Sequence, residues 1–193
     1  MSKQTTKGEE RQQAIVEAAY HLIAENGLEG LRTRDVASRV EINIATLHYY
    51  FDTKEALIQA VVSYALDQFM TVTAPPLPST GTAMETQLRQ MFADFQFQVD
   101  TAPEMFVVLN ELHLRAFRDT AVQGMLAGLN NHWQEYLVSV FAQGRSELRI
   151  EPEQAASLVI ALIKGMSLQT AVGLANYDID QVSTDVVAWI IKS

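Results

Sequence analysis

The chain has 193 residues, of which 48% are hydrophobic and 8% aromatic, so it is able to bury a sizeable core and does not have the composition of a disordered chain. It contains no cysteine, which excludes disulfide bonds and thiolate metal sites. The formal net charge is −9, but residues 1–54 hold seven basic and eight acidic residues, so the acidity lies almost wholly beyond them. The basic side chains of this nearly neutral N-terminal part are able to meet nucleic-acid phosphates if they share one face.

The first predicted helix is amphipathic. Between about residues 8 and 26, apolar residues recur at the i, i+3, i+4 and i+7 positions that share one helical face. Gly27 is suited to a left-handed C-cap, and Leu28 is suited to the hydrophobic contact that follows such a cap. The pattern therefore predicts a helix that ends at Asn26-Gly27.

Two short helices are predicted next. Thr33 is a suitable N-cap for a helix over residues 34–40, and Asn43 is a suitable N-cap for a helix over residues 44–50. Two short helices joined by about three turn residues form a helix-turn-helix. In that motif the second helix projects from a small support and enters a DNA major groove about 12 Å wide.

The rest of the chain also predicts helices only. Asp52 or Thr53 is expected to cap a fourth helix that runs to about residue 70, before the Pro-rich segment 73–81. Further helices are expected at roughly 82–101, 103–117, 120–146, 153–175 and 179–191. The predicted fold is all-α, with an N-terminal three-helix domain over residues 1–54, a connecting helix at about 54–70, and a second helical domain over 71–193.

The apolar segment at residues 155–175 raises the alternative of a membrane span. Lys164 lies near its middle, and its longest uninterrupted apolar run covers only residues 158–163. A transmembrane helix needs about 20 predominantly apolar residues. The N-terminus is polar and lacks the apolar region of a signal peptide. We therefore expect a cytoplasmic protein with no membrane partner.

The run GLEGLRTRDVASRVEINIATLHYYFDTKEALIQAV resembles the DNA-binding domain of the tetracycline-repressor (TetR) family, over about residues 9–62. Its most specific parts are Thr33 to Ala37, Thr46-Leu47, the aromatic cluster at 48–51, and Lys54 to Leu57. The resemblance implies an N-terminal helix-turn-helix DNA-binding domain. It also implies that the helical domain after it binds a ligand and dimerises.

The resemblance assigns DNA contacts to ten residues. Side chains implied to grip the phosphate backbone are Thr33, Thr46, His48, Tyr50 and Lys54, with Arg34 reaching either a base or a phosphate. Side chains implied to face base edges are Asn43, Ile44, Ala45 and Tyr49. Hydroxyls and cationic groups are the usual donors to phosphate oxygens, while amide and apolar side chains suit base edges and thymine methyls. Leu47 and Phe51 are instead expected in the core.

Two residues depart from the family pattern. Glu41 occupies a turn position that usually holds Gly, and a positive φ there costs Glu roughly 1 kcal/mol. Its negative charge would also lie near DNA. His48 replaces the usual first Tyr of the aromatic cluster. Because a protonated His binds phosphate better than a neutral one, we expect DNA affinity to rise as the pH falls towards 6.

The resemblance also implies a small-molecule cavity among the middle helices. The candidate ligand residues are soft, aromatic or polar: Phe95, Met105, His113, Phe117, Trp133, Tyr136, Met166 and Gln169. The alternative for each of them is ordinary core packing. His113 and His132 are nineteen positions apart and form no recognised metal-ligand motif, so neither a metal nor another cofactor is expected.

The predicted helix at 153–175 is apolar nearly all round, so it has to be buried on two sides. Its own domain covers one side, and a partner chain is expected to cover the other, helped by the segment 185–192. The candidate dimer residues are Leu158, Ala161, Leu162, Gly165, Val186, Trp189 and Ile190. The resemblance agrees, because the family's last two helices pair with their copies in a four-helix bundle. The alternative is a central helix of a monomeric bundle.

These observations favour a homodimeric, sequence-specific transcriptional regulator. It is expected to bind a near-palindromic operator in double-stranded DNA as a repressor, and a small molecule is expected to release it from that operator. An enzyme is not expected, because the sequence has no nucleophile elbow, phosphate loop or HExxH motif. The alternative left open is a helical protein-interaction module with a degenerate helix-turn-helix. Glu41 and the sparse basic residues favour that alternative.

Overall fold

The computed structural model describes residues 7–79 and 81–192, and these ranges form nine α-helices, one short 3₁₀-helix and no extended strand. The prediction of an all-α fold is confirmed. The helices are α1 (Lys7–Gly30), α2 (Thr33–Arg39), α3 (Ile44–Tyr50), α4 (Lys54–Thr71), α5 (Ala83–Thr101), α6 (Glu104–Ala116), α7 (Thr120–Gln143), α8 (Pro152–Ala171) and α9 (Ile179–Ile190). The 3₁₀-helix is Arg145–Glu147.

The chain packs as two compact units. The first comprises the residues up to Gln68 together with Val107–Met125, and the second comprises Phe69–Phe106 and the residues from Leu126 onward. Helices α4, α6 and α7 therefore contribute residues to both units. The assignment of separate functions to residues 1–54 and 71–193 remains a prediction, because packing alone does not assign a function.

The first unit is held together by apolar side chains from α1, α2, α3 and α4. Ile15, Val36, Leu47 and Leu57, one from each of these helices, are completely buried. Leu47 and Phe51 are both buried, as predicted from the sequence. Burying such side chains contributes roughly 1.5–3 kcal/mol each, so α3 is fixed to its support mainly through Leu47.

Helix α1 breaks where the sequence predicts its end, but in a different conformation. Gly27 has φ 71° and ψ 166°, so its φ is positive as expected while its ψ lies far from the left-handed helical value. One further helical turn then runs to Gly30. Leu28 is buried, and its backbone N–H donates to the Glu111 carboxylate of α6.

The capping predictions have mixed outcomes. Asn43 is the N-cap of α3, and its side-chain oxygen accepts from the amide three residues on. Thr53, rather than Asp52, supplies the corresponding acceptor at the start of α4. The prediction for Thr33 is wrong, because Thr33 is the first residue of α2 and Arg32 occupies the N-cap without a side-chain capping bond.

The second unit is built around α5, with α9 packed along it. Its core includes Phe92, Phe95 and Phe106, all buried. The end of α9 is held by backbone hydrogen bonding. Arg149 N donates to the Ile190 carbonyl at 2.9 Å, next to an antiparallel bridge between Leu148 and Ile191. Across the described ranges, no helix has the length and apolarity that crossing a bilayer requires.

Candidate nucleic-acid interface and ligand cavity

Helix α3 exposes the side chains that were predicted to read bases. Its buried residue Leu47 fixes it to the first unit, while Asn43, Ile44 and Ala45 at its beginning are exposed. Tyr49 is 83% exposed. A large aromatic side chain this exposed contributes little to the core of its own chain. The helix therefore presents an amide, two apolar side chains and a phenol to the outside.

Asn43 also caps α3, which limits the atoms it has left for the predicted base contact. Its Oδ1 accepts from the Thr46 backbone N–H at 2.8 Å and from the Thr46 hydroxyl at 3.0 Å. Only the Nδ2 amide of Asn43 remains to hydrogen-bond a base. The Thr46 hydroxyl must rotate away from Asn43 before it donates to a phosphate, because a hydroxyl has one proton.

The remaining predicted phosphate contacts lie on α3 itself and at the starts of α2 and α4, all in the first unit. Thr33 and Lys54 are the first residues of α2 and α4, and both are half-buried. Arg34 and His48 are exposed. Tyr50 is half-buried. Its ring packs edge-on against that of Tyr49, with a centroid distance of 5.3 Å.

The cations of the first unit differ in their availability. Arg39 forms an ion pair with Glu25 at 2.6 Å, and the hydrogen bond from Arg39 holds the pKa of Glu25 below its usual value. Arg32 and Arg34 are exposed and form no ion pair with any residue in the described ranges. Arg34 is therefore free to meet a phosphate or a base, whereas Arg39 would first have to leave Glu25.

Glu41 has the positive φ that its turn position suggested. Its φ is 54°, the only positive value for a residue other than Gly in the described ranges. Glu41 N donates to the Ser38 carbonyl at 3.2 Å, and Ile42 N donates to the Ala37 carbonyl at 3.0 Å. These two bonds form a Schellman motif, in which the residue at the Glu41 position is usually Gly. The turn therefore keeps its geometry at the cost of strain in Glu41.

The second unit contains a cavity of about 350 Å³. Of the predicted ligand residues, Phe95, Trp133 and Tyr136 line it. Its polar and ionisable lining residues Asp94, Gln98 and His132 were not predicted, because each resembles an ordinary surface position of an amphipathic helix. In the part of the chain that the structure describes, no group of three or more His, Asp or Glu is arranged to hold a metal ion.

The other five predicted ligand residues lie elsewhere. Met105 and Met166 are buried but do not line the cavity. His113 and Phe117 belong to the first unit, and Phe117 is 86% exposed. Gln169 is exposed. These residues were predicted to contact the ligand from their residue type alone, and residue type does not reveal which face of a helix a side chain occupies.

A ladder of polar residues on α5 builds one wall of the cavity. Gln98 Nε2 donates to two carbonyl oxygens of the segment 69–77, at 2.8 and 3.1 Å. Asp94 Oδ1 accepts from a backbone amide of the same segment at 2.9 Å, and Gln90 Oε1 accepts from another at 2.8 Å. Spaced four residues apart on one helical face, these side chains hold the segment along α5.

Aromatic rings form much of the remaining wall. The Phe69 and Trp133 rings have centroids 4.8 Å apart and planes tilted by 55°. The Tyr136 hydroxyl accepts a short hydrogen bond from Gln87, which fixes the phenol at the cavity. The cavity is therefore lined mostly by apolar and aromatic side chains, with a few polar groups fixed by hydrogen bonds, which is the usual character of a small-molecule site.

The outer face of α8 carries an exposed apolar stripe. Leu158 is 58% exposed, and Ala161 and Gly165 are exposed beside it. Leu168 and Val172, which were not predicted, continue the stripe towards the end of α8. These positions recur every three or four residues, so they lie on one helical face.

The other predicted dimer residues divide between surface and core. Trp189 on α9 is 71% exposed, and Leu162 is half-buried. Val186 and Ile190 are buried within the second unit itself. On α8, Lys164 donates to Asn130 Oδ1 at 2.6 Å, and partial loss of water around its amine lowers its pKa.

Comparison with known proteins identifies the family to which these features belong. Residues 15–61 match the family described as bacterial regulatory proteins, tetR family, and residues 84–191 match the BetI-type transcriptional repressor C-terminal domain. The chain belongs to the TetR family. This TetR-family protein is a DNA-binding transcriptional regulator, and the matched families are regulators rather than enzymes.

Relatives and solved structures cover most of this TetR-family chain. An uncharacterized HTH-type transcriptional regulator in the dhlA 5′ region of Xanthobacter autotrophicus is 28% identical over 171 residues, covering 88% of this chain and 83% of the relative. The regulator BetI of Burkholderia thailandensis is 25% identical over 169 residues, covering 87% and 85%. A putative regulator from Saccharomonospora viridis, solved in complex with choline, shares the fold with a TM-score of 0.77 and 21% identity, covering 95% and 99%.

Proposed function

We propose that this protein is a homodimeric repressor that binds a near-palindromic double-stranded DNA operator and is released from it by a small molecule. Residues 1–54, with the connecting helix at about 54–70, bind DNA. Residues 71–193 bind the ligand and form the dimer. The observation that carries the proposal is the exposed, polar and aromatic outer face of α3 on a buried Leu47 anchor.

In this proposal α3 enters the major groove and the flanking helices hold the backbone. The Asn43 amide, Ile44, Ala45 and Tyr49 contact base edges, where amide donors and apolar side chains distinguish bases. The phosphate contacts come from Thr33, Arg34, Thr46, His48, Tyr50 and Lys54. Such contacts fix the register of the protein on the duplex without reading its sequence.

The exposed stripe on α8, together with Trp189 on α9, supports a second copy of this chain as the partner. Exposed apolar stripes of this kind are costly in water and mark interaction surfaces. A two-fold dimer uses the same surface on both copies, so one stripe serves both. Two copies place two α3 helices on one operator, which offsets the few positive charges of each DNA-binding domain.

The aromatic cavity supports a small organic ligand. The Saccharomonospora viridis regulator, which has the same fold, was solved with choline, and a compound of that size range fits the proposal here. A ligand that binds the DNA-free form more tightly than the DNA-bound form releases the repressor. Because the coupling is reciprocal, operator DNA must weaken ligand binding by the same factor.

The DNA-binding proposal is tested with the double variant Tyr50→Ala, Lys54→Ala. We expect it to lose at least tenfold in affinity for an operator recovered by site selection, measured by fluorescence anisotropy. Circular dichroism and light scattering are expected to show an unchanged fold and oligomeric state. Arg118→Ala, an exposed cation of the first unit outside this surface, is the matched control and keeps its affinity. Wild-type protein without sequence-specific DNA binding would instead indicate a protein-interaction module.

A further inference from the structure

We propose that the corner between α6 and α7, residues 114–124, is a self-association surface. Through it, one homodimer contacts a second copy of the homodimer bound at a neighbouring site on the same DNA. This inference goes beyond the proposed function, and it rests on that function only for the DNA that brings the two homodimers together.

The α6–α7 corner exposes two large apolar side chains. Leu114, in the last turn of α6, is 64% exposed, and Phe117, which follows the last residue of α6, is 86% exposed. Phe117 is even more exposed than Tyr49, the aromatic residue of α3 proposed to contact bases. A single exposed leucine is common on a protein surface, but an exposed phenylalanine three positions away extends it to an apolar patch. Such patches mark interaction surfaces.

The turn that carries Phe117 is held in place on both sides. Arg115 Nε donates to Asp119 Oδ2 at 3.1 Å across the turn. Asp119 Oδ1 accepts from the backbone amides two and three residues further on, at 3.1 and 3.2 Å, and so caps the start of α7. The aromatic ring is therefore displayed on an ordered turn, so little backbone entropy is lost when a partner covers it.

The charges of the corner favour a protein partner over DNA or a small molecule. Arg115 and Asp119 neutralise each other, and Arg118 is the one other cation of the corner, with no ion pair to any residue in the described ranges. One available cation is too few for a nucleic-acid surface, whose affinity comes from several phosphate contacts. A ring as exposed as that of Phe117 projects from the surface, whereas small molecules bind in concave sites.

A second copy of this chain is the partner that suits the corner. The formal net charge of the chain is −9, so two copies repel each other over most of their surfaces. Residues 120–134 of α7 include no Asp, Glu, Lys or Arg, and Ala121 and Gly124 are exposed at the start of that helix. Interface cores are likewise depleted of charged residues. Two copies of the corner therefore meet where their repulsion is weakest, and a two-fold axis packs the same apolar side chains of both together.

The size of the corner indicates a weak contact. A buried phenylalanine covers roughly 150–250 Å². The corner therefore buries about a few hundred Å² per copy, well below the roughly 800 Å² per partner of a stable interface. A contact of this size requires a high local concentration of the partner. The corner belongs to the first unit, which also carries α3. Adjacent operators on one DNA molecule supply that concentration, so the contact makes the binding of two homodimers cooperative.

The first test uses duplexes that carry one or two copies of an operator recovered by site selection, with operator centres spaced by whole or half helical turns. We expect the parent protein to bind an in-phase pair at least fivefold more tightly than independent operators predict, measured by mobility shift. Leu114→Ser combined with Phe117→Ser should abolish this cooperativity and leave the affinity for a single operator unchanged. Leu77→Ser, which alters an exposed leucine of the second unit, is the matched control and keeps the cooperativity.

The second test needs no DNA. Sedimentation equilibrium of the parent protein, at concentrations far above micromolar, is expected to show a species with twice the mass of the basal assembly. The Leu114→Ser, Phe117→Ser variant should lack the heavier species at the same concentration while keeping the basal assembly. Circular dichroism checks that the variant is folded.

The two tests together separate this inference from the proposed function. If the parent protein forms the heavier species through the corner but selects no operator, the self-association surface stands and the proposed regulator fails. If single operators are bound, an in-phase pair without cooperativity, or cooperativity that the double variant retains, overturns the inference. If no operator is bound, absence of the heavier species overturns it. A double variant that loses the basal homodimer also overturns it, because the corner then belongs to the homodimer interface.

Discussion

Glu111 Oε2 accepts a hydrogen bond from the Leu28 backbone N–H at 2.9 Å, across 83 positions of sequence. Leu28 follows the break at Gly27, where the helical hydrogen-bond ladder of α1 is interrupted. Glu111 lies on α6, a helix that contributes residues to both compact units. One carboxylate therefore satisfies a backbone amide at the break in α1, from a residue 83 positions away in the same unit.

Removing that acceptor is expected to destabilise the protein. Glu111→Ala leaves the partly buried Leu28 amide without a partner, which costs about 1–3 kcal/mol of unfolding free energy. Glu111→Gln keeps an acceptor oxygen and is expected to lose less than half as much. Urea unfolding of the two variants measures the difference. Equal stability of Glu111→Ala and the parent protein would show that water replaces the carboxylate at no cost.

Glu41 combines backbone strain with an unfavourable charge, and two substitutions separate them. Glu41→Gly relieves the positive φ and is expected to raise the unfolding free energy by about 1 kcal/mol. Glu41→Gln removes only the charge and is expected to leave stability within about 0.5 kcal/mol. Both variants are expected to bind operator more tightly at low salt. If Glu41→Gln binds operator as the parent does in that titration, the Glu41 charge does not lie near DNA.

Two substitutions of Asn43 are expected to distinguish its capping of α3 from its proposed contact with a base. Asn43→Asp retains the oxygen that caps α3 but loses the amide donor and adds a negative charge. We expect stability close to that of the parent and operator affinity reduced at least tenfold, since a specific base contact is worth roughly 1–3 kcal/mol. Asn43→Ala, which also loses the cap, is expected to lose about 1 kcal/mol of stability as well. Parent-like operator affinity for Asn43→Asp would exclude Asn43 from the base contacts.

His48 is expected to make operator binding depend on pH. His48 is exposed on α3, and a protonated imidazole beside a phosphate adds a favourable charge. Affinity is therefore expected to rise from pH 8 to pH 6. His48→Gln should flatten this profile, while His132→Gln in the second unit should leave it unchanged. A flat parent profile would exclude the effect.

The apolar stripe is expected to hold the dimer together. Leu158→Glu combined with Trp189→Glu places charge in the proposed interface, and light scattering is expected to show a monomer with much weaker operator binding. Leu114→Glu alters an equally exposed leucine on α6 outside the stripe and should remain dimeric. A parent protein that is monomeric at micromolar concentration would contradict the proposed assembly.

Features determined by nearby residues were predictable from the sequence. The bounds of α3 and its Asn43 cap follow from a local pattern of cap and apolar spacing, and the structure reproduces both. The positive φ of Glu41 was suggested by its place in the turn. The place of Thr33 was predicted wrongly as the N-cap of α2. A Thr just before a helix and a Thr at its first position have the same local sequence pattern.

Features determined by distant contacts were not predictable. Asp94 and Gln98 resemble solvent-facing residues of an amphipathic helix, and their importance comes from backbone groups 20 to 29 positions earlier. The bond between Glu111 and Leu28 is invisible in the sequence for the same reason. The candidate ligand residues were predicted from residue type alone. The prediction is therefore right only for those on the cavity side of their helices, such as Trp133.

The most direct test of the homodimeric regulator is selection of binding sites from random duplex DNA with the purified protein. Two copies of α3 related by a two-fold axis are expected to enrich an inverted repeat, with half-site centres one helical turn or a multiple of it apart. The same repeat should be protected by the parent protein and not by the Tyr50→Ala, Lys54→Ala variant. Absence of any enriched sequence, or enrichment of a single unrepeated site, would contradict a homodimeric, sequence-specific regulator.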